Sequence, residues 1–283
     1  MEKDMIGRRD FNKTLLAATG AATTGMASIA SASGARADAV PDARQVCTVI
    51  EDAKSGAGIF REGASSTRHS PCSSFKIAIA LMGFDSGVLQ DPHHPVLDYQ
   101  PGYYAPVAHM KETTDPTIWL RDSVVWYSQQ ATKKLGMQRF QAYVNKFDYG
   151  NRDLSGHPGK HDGLTWAWLM TSLAISPDEQ VGFIRRLLGR TLTISNHAYD
   201  MTIASMPVFT TAGGWTIRGK TGSGIWQDSG ANAGKQQEWF VGWAEKNERQ
   251  LAFARFEITA RHGKTGGVKA RDALLAGFDR MAG

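Results

Sequence analysis

Ser73-Ser74-Phe75-Lys76 sets a hydroxyl and an amine three residues apart. On a helix such positions share a face, with Ser73 on the first turn and Lys76 one turn deeper. Serine is a poor nucleophile until a nearby base takes its proton. A lysine can be that base only when neutral, and an apolar pocket drives its pKa down toward that state. Phe75, Ile77 and Ile79 provide such surroundings. A helix N-terminus adds backbone N–H groups that can hold a developing oxyanion. Ser and Lys at this spacing also arise by chance about once in a chain of this composition, so the pair needs company.

Lys220-Thr221-Gly222 follows Gly214-Trp215-Thr216-Ile217-Arg218-Gly219, which reads as a strand. On an edge strand Lys220 and Thr221 can offer a positive charge and a hydroxyl to a substrate carboxylate, and Gly222 permits close backbone approach. The tripeptide recurs at Lys264-Thr265-Gly266, where no strand precedes it and a loop is expected. Ser123-Val124-Val125 falls inside an expected helix, where its hydroxyl can relay a proton to a leaving group. A helical serine is ordinarily satisfied by a backbone carbonyl, so Ser123 gains weight only from its place between the other two motifs.

The elements that must position these residues are legible in outline. Val46 and Val49–Ile50, the Lys54-Ser55-Gly56 turn and Ala57 to Phe60 predict an N-terminal hairpin. Ser73 to Phe84 is apolar on most sides and predicts a buried helix. Pro116 opens an expected helix over Thr117 to Leu135. Ser176-Pro177-Asp178-Glu179 carries an N-cap, a first-turn proline and a reciprocal Glu, opening a helix to about Leu188. Strands return at Gly214 to Gly219, Trp239 to Glu245 and Gln250 to Ile258, and a helix runs from about Val268 to Met281. Strands at both ends with helices between predict an α+β fold: a central antiparallel sheet with an inserted helical lobe. The cleft between lobe and sheet is the expected place for a site.

Composition bounds the partners. Of 283 residues, 42% are apolar and the net charge is +5, with no basic run after the N-terminal segment, which argues against nucleic-acid binding. Residues 1–37 resemble a twin-arginine export signal: Arg8-Arg9, a mildly apolar stretch from Thr14 to Ser33, then Ala35-Arg36-Ala37 as a cleavage site. Gly7 and Asn12 depart from the usual pattern. The expectation is a chain handed to export machinery, cleaved near Ala37 and delivered to the periplasm, with 38–283 as one catalytic domain. Cys47 and Cys72 would meet an oxidising compartment, and their spacing leaves pairing open.

The order Ser-x-x-Lys, Ser-x-Val, Lys-Thr-Gly resembles the penicillin-recognising serine enzymes. More closely, the chain is similar to the class D (oxacillinase) β-lactamases. Tyr149-Gly150-Asn151, Ala167-Trp168-Leu169 and Trp239-Phe240-Val241-Gly242-Trp243 match further family elements, and the resemblance spans roughly Cys47 to Leu274. It implies hydrolysis of the β-lactam amide through an acyl-enzyme on Ser73, and hence β-lactam resistance. It implies that Lys76 is carboxylated by dissolved CO2 and serves as the base for acylation and deacylation, with Trp168 hydrogen-bonded to the carbamate. The N–H groups of Ser73 and Ser223 would form the oxyanion hole. Ser123 would relay a proton to the leaving nitrogen, and Lys220, Thr221, Gly222 and Arg271 would meet the substrate. No metal or organic cofactor is implied beyond CO2 or bicarbonate. Gly266 and Gly267 make the loop before Arg271 differ from the family pattern. Cys72 stands where the family has a small or acidic residue, and Ser74 where threonine is commoner.

Other readings fit less well. A separate-glutamate mechanism would want Ser-Asp-Asn, and Ser123-Val124-Val125 lacks the Asn. A zinc enzyme would need clustered ligands, which His93-His94, His157 and His161 do not supply. A promiscuous esterase would not need the anion-binding Lys220-Thr221-Gly222 and Arg271. A penicillin sensor or transpeptidase would be acylated at the same serine without turnover, and would be expected to bring membrane helices or a second domain.

Overall fold

A computed structural model of the protein describes residues 45–227, 230–261 and 267–283. The expected export segment and the second Lys-Thr-Gly copy lie outside them. Among the described residues the order is β1 (Gln45–Asp52), β2 (Gly58–Glu62), α1 (Lys76–Asp85), α2 (Pro116–Asp122), α3 (Val125–Leu135), α4 (Met137–Lys146), α5 (Gly163–Trp166), α6 (Pro177–Leu188), α7 (Asn196–Ser205), β3 (Val208–Thr210), β4 (Thr216–Ile225), β5 (Gln236–Lys246), β6 (Arg249–Thr259) and α8 (Val268–Ala282). Short 3-10 turns cover Cys72–Phe75 and Ala108–Met110.

The six strands form one antiparallel sheet in the order β2-β1-β6-β5-β4-β3. Its middle is covered on both faces, which is why β5 reads as a continuous apolar run rather than an alternating one. Trp239, Val241 and Trp243 join the core of the helical lobe with Ala252, Ala254 and Phe256 of β6. Phe240 and Ala244 turn the other way, onto Ala270, Leu274 and Phe278 of α8. Each such fully buried large side chain contributes roughly 1.5–3 kcal/mol.

α1 is buried from Lys76 through Phe84 and so carries no polar stripe. α6 opens with the expected capping box: Ser176 Oγ accepts from Glu179 N, and the Glu179 carboxylate accepts from Ser176 N. Such a cap contributes about 1 kcal/mol. The Arg68 guanidinium also binds Glu179 and holds its carboxyl charged against the opposing effect of burial.

The expected helix from Thr117 to Leu135 is two helices, α2 and α3, broken at Ser123, which adopts a left-handed conformation at φ 60°. Cys47 and Cys72 are both buried free thiols. Among the described residues no helix is long and apolar enough to cross a membrane.

Candidate active site

Ser73 sits on the 3-10 turn Cys72–Phe75, one turn ahead of α1 rather than within it. Pro71 leads into the turn, and Cys72 takes a left-handed φ of 48°. A non-glycine residue there costs roughly 1–2 kcal/mol, so the surroundings must hold it. Ser74 supplies part of that hold. Its hydroxyl donates to Pro71 O at 2.7 Å and accepts from Gln180 Nε2 at 2.9 Å. Tyr149 OH donates to Gln180 Oε1 at 3.3 Å, so the tyrosine of Tyr-Gly-Asn braces the turn through α6. Asn151 closes the neighbouring loop: its side chain donates to Ser172 O and accepts from Ala174 N. Gln180 was not anticipated from sequence; its one signal is a polar residue on the buried face of α6.

Lys76 Nζ lies 2.7 Å from Ser73 Oγ. Lys76 is fully buried, and its pKa falls well below the usual lysine range, first through burial and then through the nearby Lys220 charge. A neutral amine at this distance has a lone pair free for the Ser73 proton. Ser73 itself is only partly buried, so its hydroxyl is open to the solvent side.

Lys220 projects from β4, is buried, and reaches across the cleft to donate to Ser123 Oγ at 3.0 Å and to Thr221 O at 3.0 Å. Burial brings its pKa down to about 7, partly offset by the Asp122 carboxylate. The break at Ser123 gives this hydroxyl its position at the junction of α2 and α3. β3 pairs with β4 only at Thr216–Arg218, so from Lys220 onward that side of β4 is an open edge.

Gly222 explains why the third residue of this motif is small. A Cβ there would lie 2.8 Å from Pro71 O, 3.0 Å from Ser74 N and 3.3 Å from Ser73 N, so β4 and the nucleophile's turn are in backbone contact. Ser223 follows, its hydroxyl accepting from Gln236 Nε2 at 3.2 Å. Lys220, Thr221 and Arg271 line one cleft of about 380 Å³ together with Leu120, Arg121 and Phe209. Arg271, on the first turn of α8, lies over the Phe209 ring and pairs with Asp272.

Trp168 is fully buried against Phe75 and Phe140, and its indole Nε1 has no hydrogen-bond partner among the described residues. A buried donor of this kind is costly unless some further group receives it. Cys72, the neighbour of Ser73, is fully buried and its thiol is pushed up to about 11 by desolvation, so it carries no thiolate at neutral pH.

Residues 21–276 match the family model described as penicillin binding protein transpeptidase domain. The chain is 47% identical over 241 residues to Beta-lactamase OXA-9 of Klebsiella pneumoniae, covering 84% of this chain and 88% of that one. It is 36% identical over 199 residues to Beta-lactamase OXA-1 of Escherichia coli, covering 70% of each. The crystal structure of the OXA-427 class D β-lactamase superposes with a TM-score of 0.78 at 41% identity, over 83% of this chain and 97% of that one.

Proposed function

The chain belongs to the class D serine β-lactamases, and from that membership we propose a mechanism in which Ser73 opens the β-lactam amide and Lys76 manages its proton. The protein is a β-lactam hydrolase, and its activity confers β-lactam resistance. The observation that carries the mechanism is the 2.7 Å approach of the buried Lys76 amine, whose burial favours its neutral form, to Ser73 Oγ.

Lys76 fits carboxylation by CO2. The reaction needs an unprotonated amine in a dry pocket, which burial favours, and Trp168 Nε1 is a buried donor without a partner among the described residues that could donate to an oxyanion. When attached, the carboxylate supplies a base at Lys76 Nζ strong enough to hold the Ser73 proton and, later, that of a hydrolytic water. The chemistry is a serine's, with no metal requirement.

Thr221, Lys220 and Arg271 bind the substrate carboxylate, and the N–H groups of Ser73 and Ser223 hold the carbonyl oxygen as it gains charge. Ser73 Oγ bonds to the carbonyl carbon, the ring C–N bond breaks, and the nitrogen takes a proton from Ser123, which Lys220 resupplies. Lys220, with its pKa near 7, can release and regain that proton at neutral pH. Lys76 then gives up the Ser73 proton and Lys220 regains one; water attacks the acyl carbon as Lys76 takes its proton, the bond to Ser73 breaks, and that proton passes from Lys76 to Ser73 Oγ. Residues 1–37 act as an export signal and residues 38–283 as the periplasmic enzyme.

The first test is steady-state hydrolysis of a chromogenic cephalosporin with and without added bicarbonate. Turnover that rises with bicarbonate is expected. Acylation without turnover at any bicarbonate concentration would replace the hydrolase with a sensor or transpeptidase.

A further inference from the structure

We propose that Ser70 is a positioning residue that locks the Trp168 segment to the nucleophile's bend and thereby sets how firmly Lys76 holds CO2. The inference rests on the carboxylated-Lys76 reading above.

Ser70 is buried, and its hydroxyl is used in both senses on one short segment. Oγ donates to Trp168 O at 3.0 Å and accepts from Met170 N at 2.9 Å. A single hydroxyl therefore fastens the backbone on both sides of Leu169. Met170 sits at a left-handed φ of 61°, which a bond to its own N–H helps to hold.

Ser70 is itself anchored to the rigid centre of the sheet. Its carbonyl accepts from Trp239 Nε1 at 2.9 Å and from Gln237 Nε2 at 2.7 Å, both on β5. Three residues further along the same bend comes Ser73, and six further comes Lys76. The position of β5 is thus passed through one residue to the nucleophile's turn on one side and to Trp168 on the other. On the carboxylated-Lys76 reading the buried indole N–H of Trp168, without a partner among the described residues, serves the carboxylate, and it does so only while its backbone keeps this register. Without the hydroxyl, Met170 N and Trp168 O lose their buried partner together.

Removing such a buried hydrogen-bonding group corresponds to about a 10-fold or greater rise in the bicarbonate concentration giving half-maximal rate in Ser70→Ala. At saturating bicarbonate, kcat should return to within about 3-fold of the parent, since Ser73, Lys76 and Ser123 are untouched. The independent readout is the 13C NMR signal of carboxylated lysine in enzyme equilibrated with 13C-bicarbonate, which should be weaker in the variant at any fixed subsaturating concentration.

The isosteric pair Ser70→Thr and Ser70→Val separates hydroxyl from packing and carries the test should Ser70→Ala fold poorly. Threonine should keep the parent's bicarbonate dependence and valine should shift it. An unchanged half-saturation and 13C signal in Ser70→Val, in a parent that does depend on bicarbonate, overturns this inference alone. A parent with neither bicarbonate dependence nor a 13C signal overturns the Lys76 reading and this inference together.

Discussion

Ser123 Oγ and Lys220 Nζ meet at 3.0 Å, one from the break between two helices of the lobe, the other from an open stretch of the sheet's edge. Lys220 in turn lowers the Lys76 pKa, so the Ser123–Lys220 and Ser73–Lys76 pairs form one electrostatic unit rather than two motifs side by side. A second cation near Lys76 disfavours its ammonium form and helps keep the amine neutral.

Ser73→Ala should form no covalent adduct with a penicillin by intact-protein mass spectrometry; an adduct would move the nucleophile elsewhere. Lys76→Ala should lose on the order of 10⁴-fold or more in turnover, as expected for a residue acting in a catalytic unit. A loss of only a few fold in steady-state assays would remove Lys76 from the base role.

Gly222→Ala should leave the fold in place but cut the acylation rate by about 100-fold or more, the cost of losing an oxyanion-hole donor. The added methyl would push β4 away from Pro71 O and from the N–H groups of Ser73 and Ser74. Stopped-flow acylation, with circular dichroism as the fold control, reads this. Wild-type acylation would show that the β4 contact does not shape the reacting site.

Arg271→Ala should raise KM by about 10-fold or more for anionic β-lactams with kcat little changed, since a charge-assisted bond to a carboxylate contributes roughly 1.5–3 kcal/mol. Equal losses in kcat and kcat/KM would mean instead that Arg271 acts at the transition state.

Stability should depend on pH through Lys220. Its folded pKa is about 7 against an ordinary 10.5, so between those values the unfolded chain binds a proton that the folded chain does not. Folding stability therefore rises with pH across that window, and the burial penalty is present in full below pH 7. Lys76 shifts in the same direction. Cys47 and Cys72, both raised to about 11, work in the opposite sense above pH 9. Urea midpoints between pH 7 and 8.5 should rise in the parent and rise less in Lys220→Met; parallel slopes would show that Lys220 is not desolvated.

The candidate site residues stand out in the sequence because the chemistry proposed for them constrains local sequence. Ser73 and Lys76 stand three apart where the 3-10 turn runs into α1, and Gly222 lacks a side chain where β4 meets that turn. The sheet was legible from its apolar runs and the start of α6 from its capping box. The break at Ser123 was not, because Trp119, Leu120, Val124 and Val125 keep apolar residues coming at helical spacing on either side of it. What holds Ser123 in its left-handed turn is partly Lys220, 97 residues away, and no local pattern records that contact. β3 escaped notice for a simpler reason: three residues are too few to show a period. Gln180 and Ser70 act through tertiary hydrogen bonds and look in sequence like ordinary polar residues.

The pairing of β1 with β6, Cys47 opposite Phe256 and Val49 opposite Ala254, has a consequence for how the molecule is made. The first long strand finds its central neighbour only after about 200 further residues have been synthesised, a closure that is slow because loop entropy is lost before any contact is gained. Until then β1 and the apolar face of α6 have no sheet centre to lie on, and the nascent chain is exposed to aggregation and proteolysis. Acquisition of the fold is thus concentrated in the C-terminal third, and a fragment ending before Arg249 should be digested completely by a protease concentration that the whole protein survives.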